Sequence, residues 1–272
     1  MKEMTKSNKC DIETLMEVVL ERTFEIVSDA YKCRKEPFED KNGNVTYNAL
    51  PNSNNQGSIV FPRYFHGSPA TNSEFTRVTS EQELRFAFVQ AFSELVGDYY
   101  YAVEVPTKGK YKFTNKDGNL DPKIDDSGRS GSFDLVIYNN ELQRVCLVEF
   151  KANYPDKGCF SKDFLKLANP KEDICNIGIR SYFVHIVISY GIGKDKGKDK
   201  LQKRLEESSK AIKSIPKHTC VNYVLYSLCR DNTDDNQYIA TDLSPTGEIG
   251  SNTKITGISL HWYDEQTKDI KS

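Results

Sequence analysis

RVCLVEFK, residues 144–151, decides how this chain is read. Val145, Cys146, Leu147 and Val148 make the apolar run of a buried strand. The run nevertheless ends in Glu149 and Lys151, with only Phe150 between them. Two opposite charges at the end of a buried strand need compensation, because an unpaired buried charge is costly. The segment before it, SFDLVIY at 132–138, is a second strand pattern with a charge, Asp134, near its start.

Together the two segments predict an antiparallel hairpin. A two-residue loop (Glu141, Leu142) and a four-residue loop (Asn140 to Gln143) give the same register, with Asp134 opposite Glu149. Opposite side chains of such a pair share a face, with Cβ atoms roughly 5 Å apart. Lys151 falls on that face because strand side chains alternate. Val136, Tyr138, Val145 and Leu147 complete it at the turn end, and Phe133, Leu135, Ile137, Cys146, Val148 and Phe150 make the other face. The simplest account is a cross-strand ion pair on a solvated edge, but an edge facing water would carry more polar residues. Two adjacent carboxylates repel, so on this reading removing Asp134 relieves a repulsion that one lysine offsets only in part. A divalent cation relieves it fully, and Mg²⁺ favours one or two carboxylates combined with phosphate oxygens and water.

Outward from the hairpin, TSEQELRFAFVQAFSELVG (79–97) predicts a helix capped by Ser80, with Glu83 three residues on as its capping-box partner. Leu84, Ala87, Phe88, Ala91 and Leu95 form its apolar stripe; Glu81 extends that stripe, and Glu83 shares a face with Gln90 and Glu94. Strands are expected at 99–106, 181–191, 221–228 and 256–263, and helices at 11–34, 161–168 and about 199–213. The continuous apolar run SYFVHIVISYG (181–191) suits a strand covered on both faces. Residues 37–78 show no clear period, and NALPNSNNQGS is loop chemistry. The order predicts an α/β fold: a central mixed sheet flanked by helices, in the order helix, three strands, helix, strand. One domain is expected over 1–272, with an N-terminal helical and loop extension over about 1–78 and a core over about 79–228.

Composition narrows the function classes. A formal net charge of −2 neither demands nor excludes a nucleic-acid partner, since a local patch suffices. No run approaches the roughly 18 apolar residues of a membrane helix, and MKEMTKSNKCDIE lacks a signal-peptide core, so no membrane role is expected. Seven scattered cysteines without a CxxC pair argue against a zinc site or disulfide framework, and reduced thiols point to the cytoplasm. No Gly-rich phosphate loop or G-x-S-x-G occurs. His66, His185, His218 and His261 lack metal or triad spacing, and His185 reads as a satisfied core residue.

An acidic helix residue, an aspartate at a strand start and E-x-K on the next strand resemble the PD-(D/E)XK nuclease superfamily, the restriction-endonuclease-like proteins. The resemblance covers roughly residues 79–191. Residue by residue, Asp134 matches the motif's aspartate, and Glu149 with Lys151 matches (D/E)XK. Glu81, with Arg85 four residues on, matches the E-x-x-x-R of many family helices. The motif's proline is absent, since Ser132 and Phe133 precede Asp134.

The resemblance implies a restriction-endonuclease-like core and a hydrolase acting on phosphodiester bonds, as an endonuclease or exonuclease. It implies catalytic roles for Asp134, Glu149, Lys151 and Glu81. It further implies Mg²⁺ or Mn²⁺ held by Asp134, Glu149 and the backbone carbonyl of Phe150. The expected partner is nucleic acid, DNA foremost, and a homodimer is compatible with this. Asp163 and Lys166 resemble the charged face of the helix after the motif, where surface pairing is the expected role. The rival reading is a nuclease-like fold that binds nucleic acid or a protein without cutting.

For a substrate groove, GKDKGKDKLQKR (193–204), Arg129, Lys108 and Lys110 supply candidate basic residues. The Tyr99–Tyr101 run is read as strand core in preference to a base-stacking surface.

Overall fold

The computed structural model describes residues 11–31, 79–189 (apart from 96, 115–117, 119, 154 and 156) and 221–229, with Ile59 and six short strands outside those ranges. In chain order the elements are α1 (Ile12–Tyr31), β1 (Pro37–Glu39), β2 (Val45–Tyr47), β3 (Arg63–His66), β4 (Glu74–Arg77) and α2 (Glu81–Leu95). There follow β5 (Tyr100–Pro106), β6 (Tyr111–Thr114), β7 (Leu120–Ile124), β8 (Ser132–Tyr138), β9 (Arg144–Ala152) and α3 (Lys157–Ala168). Last come β10 (Arg180–Ser189), β11 (Val221–Cys229), β12 (Gln237–Leu243) and β13 (Lys254–Gly257). The helix expected over 199–213 and the basic stretch 193–204 lie outside the described residues.

A seven-stranded mixed sheet runs in the order β13-β12-β11-β10-β9-β8-β5. β8 is antiparallel to both of its neighbours, β5 and β9, α3 carries the chain across to β10, which is parallel to β9, and β11 continues parallel to β10. The hairpin β6–β7, absent from the sequence reading, is inserted between β5 and β8. Four short strands, β1 to β4, form two more hairpins within the stretch read as aperiodic.

Alternation explains the two cores. Leu135, Ile137, Cys146, Val148, Phe150, Tyr182, Val184 and Ile186 point to the face covered by α1 and α2, where Phe88 meets Phe150 edge to face at 5.4 Å. Val136, Leu147, Phe183 and Val187 point to the other face, against Phe160, Phe164 and Leu167 of α3. α1, expected as part of an extension, packs beside α2 on the sheet. Both helices present an apolar stripe that only a partner layer can bury. Ser80 caps α2 as expected, its Oγ accepting the N–H groups of Gln82 and Glu83 at 3.2 and 3.4 Å.

Three expectations about side-chain placement are corrected. The hairpin turn has neither two nor four residues: Asn139 and Gln143 close a turn over Asn140, Glu141 and Leu142, with Leu142 in the left-handed region at φ 56°. The pairing Tyr138–Arg144 is then one residue out of step, and a bulge restores Ile137–Cys146, Val136–Leu147 and Leu135–Val148. The bulge turns Val145 toward the α1–α2 face, and at the other end Phe133 joins the α3 face. Finally, Tyr100 and Tyr101 are not core: β5 is the sheet edge, and they are 55% and 41% exposed.

Candidate active site

The backbone pairing of β8 and β9 ends at Leu135–Val148, one residue short of Asp134 and Glu149 at the end of the sheet. There the strands part, and the Asp134 side chain takes over from the ladder. Its Oδ2 accepts the Phe150 N–H at 2.7 Å, and its Oδ1 accepts from Arg85 Nη2 of α2 at 2.8 Å. In a strand the N–H and C=O of one residue point to the same neighbour. The Phe150 carbonyl therefore also faces the β8 side. Arg85 Nη1 reaches Glu104 at 2.8 Å, and Glu104, at φ 51°, pairs no backbone with Asp134 across β5–β8. This strained, unpaired step lets Phe133 change faces.

Glu149 turns the other way, toward α3, so the expectation that Asp134 and Glu149 share a face is corrected. Asp134 pairs with Arg85 of α2 and Glu149 with Lys166 of α3, because the step at Glu104 and Asp134 breaks the alternation of β8. Glu149 Oε1 lies 2.5 Å from Lys166 Nζ, and Lys166 also contacts Asp163 Oδ1 at 2.9 Å and donates to the Ser132 carbonyl at 2.7 Å. Asp163 Oδ2 lies 2.8 Å from Lys151 Nζ, and Lys151 reaches Glu81 Oε1 at 3.2 Å. Glu81 thus faces the charged group as its helical stripe predicts, while Glu83 Oε2 has no hydrogen-bond partner among the described residues. Asp163 and Lys166 are not a surface pair: they are 1% and 4% exposed. Asp163 falls three residues after Phe160 and four before Leu167, on the apolar row of α3. That spacing is the sequence signal for its burial.

The charges tune one another. Burial first, then the Asp163 charge, pushes the Glu149 carboxyl well above the usual carboxylate range against the pull of Lys166, and Asp134 adds to the rise. Asp163 goes the other way: Lys166, Lys151 and Lys162 outweigh its burial and hold it down. For both Lys151 and Lys166 burial lowers the pKa, but the surrounding carboxylates outweigh it and hold both lysines charged. Five carboxylates (Glu81, Glu104, Asp134, Glu149 and Asp163) thus face four cations (Arg85, Lys151, Lys162 and Lys166).

The donor set suits a hard divalent cation in its chemistry: two carboxylates and a backbone carbonyl at the end of two strands. In the arrangement described, Asp134 and Glu149 are instead claimed by cations from different helices. Among the described residues no three His, Cys, Asp or Glu side chains gather into a metal-binding group.

Two further features frame the site. His185, fully buried, contacts Tyr223 Oη at 2.9 Å and the Asn153 carbonyl at 2.5 Å, as a satisfied core histidine should. Glu172, unremarked in the sequence, is buried and accepts the N–H groups of Lys108 and Gly109 at 2.9 and 2.8 Å, tying the β5–β6 link to the turn after α3. Lys108, Lys110 and Arg129 are exposed, with Arg129 lying over the Phe113 ring at 5.7 Å. Among the described residues no helix is long and apolar enough to cross a membrane. No family model, curated protein or solved structure matches the chain.

Proposed function

We propose that this protein is a metal-dependent nuclease of the PD-(D/E)XK type, hydrolysing phosphodiester bonds in nucleic acid, DNA foremost. The observation that carries the reading is the gathering of Asp134, Glu149, Lys151 and Glu81 at one end of the sheet. It occurs within the element order helix, three antiparallel strands, helix, parallel strand. That element order and those four positions are what the superfamily resemblance implies.

The electrostatics favour a cation as co-substrate binder. Five carboxylates already engage all four cations of the site, so little positive charge is left over for a phosphodiester, and a divalent cation would supply it. Asp134, Glu149 and the Phe150 carbonyl would hold Mg²⁺ or Mn²⁺. Such an ion supplies a more acidic water and charge neutralisation at the phosphate.

The chain's own residues do the rest. Lys151, held charged, would stabilise hydroxide and the developing charge on phosphorus. Glu81 and Asp163 aim its ammonium from two helices. Arg85 fixes the Asp134 carboxylate, and buried Phe88 and Phe150 on one face and Phe133 on the other keep bulk water from the sheet beneath. Exposed Lys108, Lys110 and Arg129 offer phosphate contacts beside the site.

The second reading is a non-catalytic nucleic-acid or protein-binding module on the same fold. It is favoured by one observation: Arg85 and Lys166 already neutralise Asp134 and Glu149. A cleavage panel of plasmid, linear, branched and single-stranded DNA, and of RNA, with Mg²⁺ or Mn²⁺ separates the two. Metal-dependent cutting of any member supports the nuclease. Binding without cutting across the panel supports the module.

A further inference from the structure

Lys166 Nζ sits in a cage of three oxygens from three segments: Glu149 Oε1 of β9 at 2.5 Å, the Ser132 carbonyl of β8 at 2.7 Å, and Asp163 Oδ1 of its own helix at 2.9 Å. The Ser132 carbonyl accepts a hydrogen bond from the ammonium, and the two carboxylate oxygens are in ion-pair contact with it, Glu149 Oε1 at a distance but not an angle that makes a hydrogen bond. The fit extends along the stem. A Cβ built on Gly131 would meet Lys166 Cδ at 3.2 Å, and the ammonium lies 5.9 Å from the centre of the Phe133 ring. The cage is therefore a built site for one positive charge, made of hard oxygen donors. These are the donors a divalent cation also seeks, and Glu149 belongs to both sets.

Glu149 cannot serve both cations at full strength. Two positive charges within bonding distance of one buried carboxylate oxygen would repel, and the ammonium is the one on a flexible four-carbon stem. We infer that Lys166 is a built-in counter-ion that competes with a divalent cation for Glu149, so that metal enters this site by displacing Lys166. The inference rests on the nuclease reading of the site. It accounts for a lysine buried on the apolar side of α3. Without metal, Lys166 supplies the charge that Glu149 would otherwise lack inside the core.

The test uses the full chain. Free Mn²⁺ is followed by electron paramagnetic resonance during titration of wild type, Lys166→Met and Lys166→Gln. In parallel, the rate of reductive methylation at Lys166 is read by peptide mass spectrometry on wild type with and without saturating Mn²⁺. The labelling needs no variant to fold. Loss of the competing ammonium is expected to tighten Mn²⁺ binding by about tenfold or more, and Mn²⁺ is expected to speed labelling of Lys166 in wild type. Variants that bind Mn²⁺ no tighter than wild type, or Lys166 labelling unchanged at saturating Mn²⁺, overturn the inference while leaving the nuclease reading standing. Folded wild type and variants that bind no Mn²⁺ overturn both.

Discussion

Asp134 and Phe150 are joined side chain to main chain: Asp134 Oδ2 accepts the Phe150 N–H at 2.7 Å, just where the backbone pairing of β8 and β9 stops. One carboxylate thus does the work of the next rung of the ladder and holds Arg85 with its other oxygen.

That geometry reverses the sign expected for Asp134→Ala. Repulsion from Glu149 alone would make the alanine variant more stable. Instead it leaves the Phe150 N–H without its acceptor and Arg85, largely buried, with Glu104 as its remaining carboxylate. The expected loss is about 2–3 kcal/mol. Asp134→Asn, which keeps an acceptor for Phe150, should lose less. Urea denaturation without metal checks the order; an alanine variant more stable than wild type would show that repulsion wins.

His185 should make stability fall with acid. Burial pushes its pKa down to about 4 from an ordinary 6.5, against the raising effect of the Asn153 carbonyl and with help from Lys151. An unfolded chain takes up that proton near pH 6.5, the folded chain only near 4. The contribution is therefore complete above 6.5 and lost as pH falls toward 4, by roughly 3 kcal/mol in all. Glu149, whose pKa is raised, pulls in the opposite direction, equally in wild type and variant. Denaturation curves of wild type and His185→Gln between pH 7 and 5 should diverge, wild type losing more. Parallel curves would mean that His185 is protonated in the folded protein.

Leu142 is an exposed leucine in the left-handed region of the hairpin turn, 69% accessible at φ 56°. A side chain there costs roughly 1–2 kcal/mol, offset in part by the backbone entropy of its glycine replacement. Leu142→Gly should raise the melting temperature by a few degrees with cleavage unchanged. A lower melting temperature would show that the leucine packs against something that its exposure does not suggest.

Glu172→Ala removes the acceptor of two backbone N–H groups, at Lys108 and Gly109, and a partner of Arg144 at 3.4 Å. A loss of about 2–4 kcal/mol is expected. Gly109→Ala should act on the same strap, because its Cβ would meet Asn169 Nδ2 at 2.2 Å and Tyr111 Oη at 2.8 Å. Thermal melts of the two single variants and the double variant check this: a double variant no worse than the poorer single one marks a shared strap.

The parts of the fold legible in the sequence are those governed by short-range periodicity. The apolar alternation of 132–138 and 144–151 carries the hairpin and its register from Leu135–Val148 to Ile137–Cys146 but not the shared face expected of Asp134 and Glu149, and the Ser80 cap with the Leu84–Phe88 stripe carries α2 and the direction of Glu81. The three-residue turn is illegible because Leu142 occupies a position where glycine or asparagine is the usual signal, and the bulge restores the expected register at Ile137–Cys146. Alternation also failed at Phe133, where Glu104 and Asp134 leave the β5–β8 ladder, a long-range event with no local mark. The burial of Lys166 has no local mark, because a lysine on a helix is ordinarily solvated and only the oxygens of Glu149, Ser132 and Asp163 compensate for it.

The most direct measurement is cleavage of a labelled DNA substrate by wild type and Lys151→Ala in Mn²⁺, with a melt of each protein beside it. Asp163 keeps Lys166 when Lys151 is removed, so the variant should stay folded. Its cleavage rate should fall by about 10²-fold or more, as when a group that stabilises transition-state charge is deleted. Mn²⁺ should still raise its melting temperature. A folded Lys151→Ala variant that cuts at the wild-type rate would contradict the proposed role of Lys151. A wild-type protein that neither cuts nor gains stability with Mn²⁺ would contradict the nuclease reading as a whole.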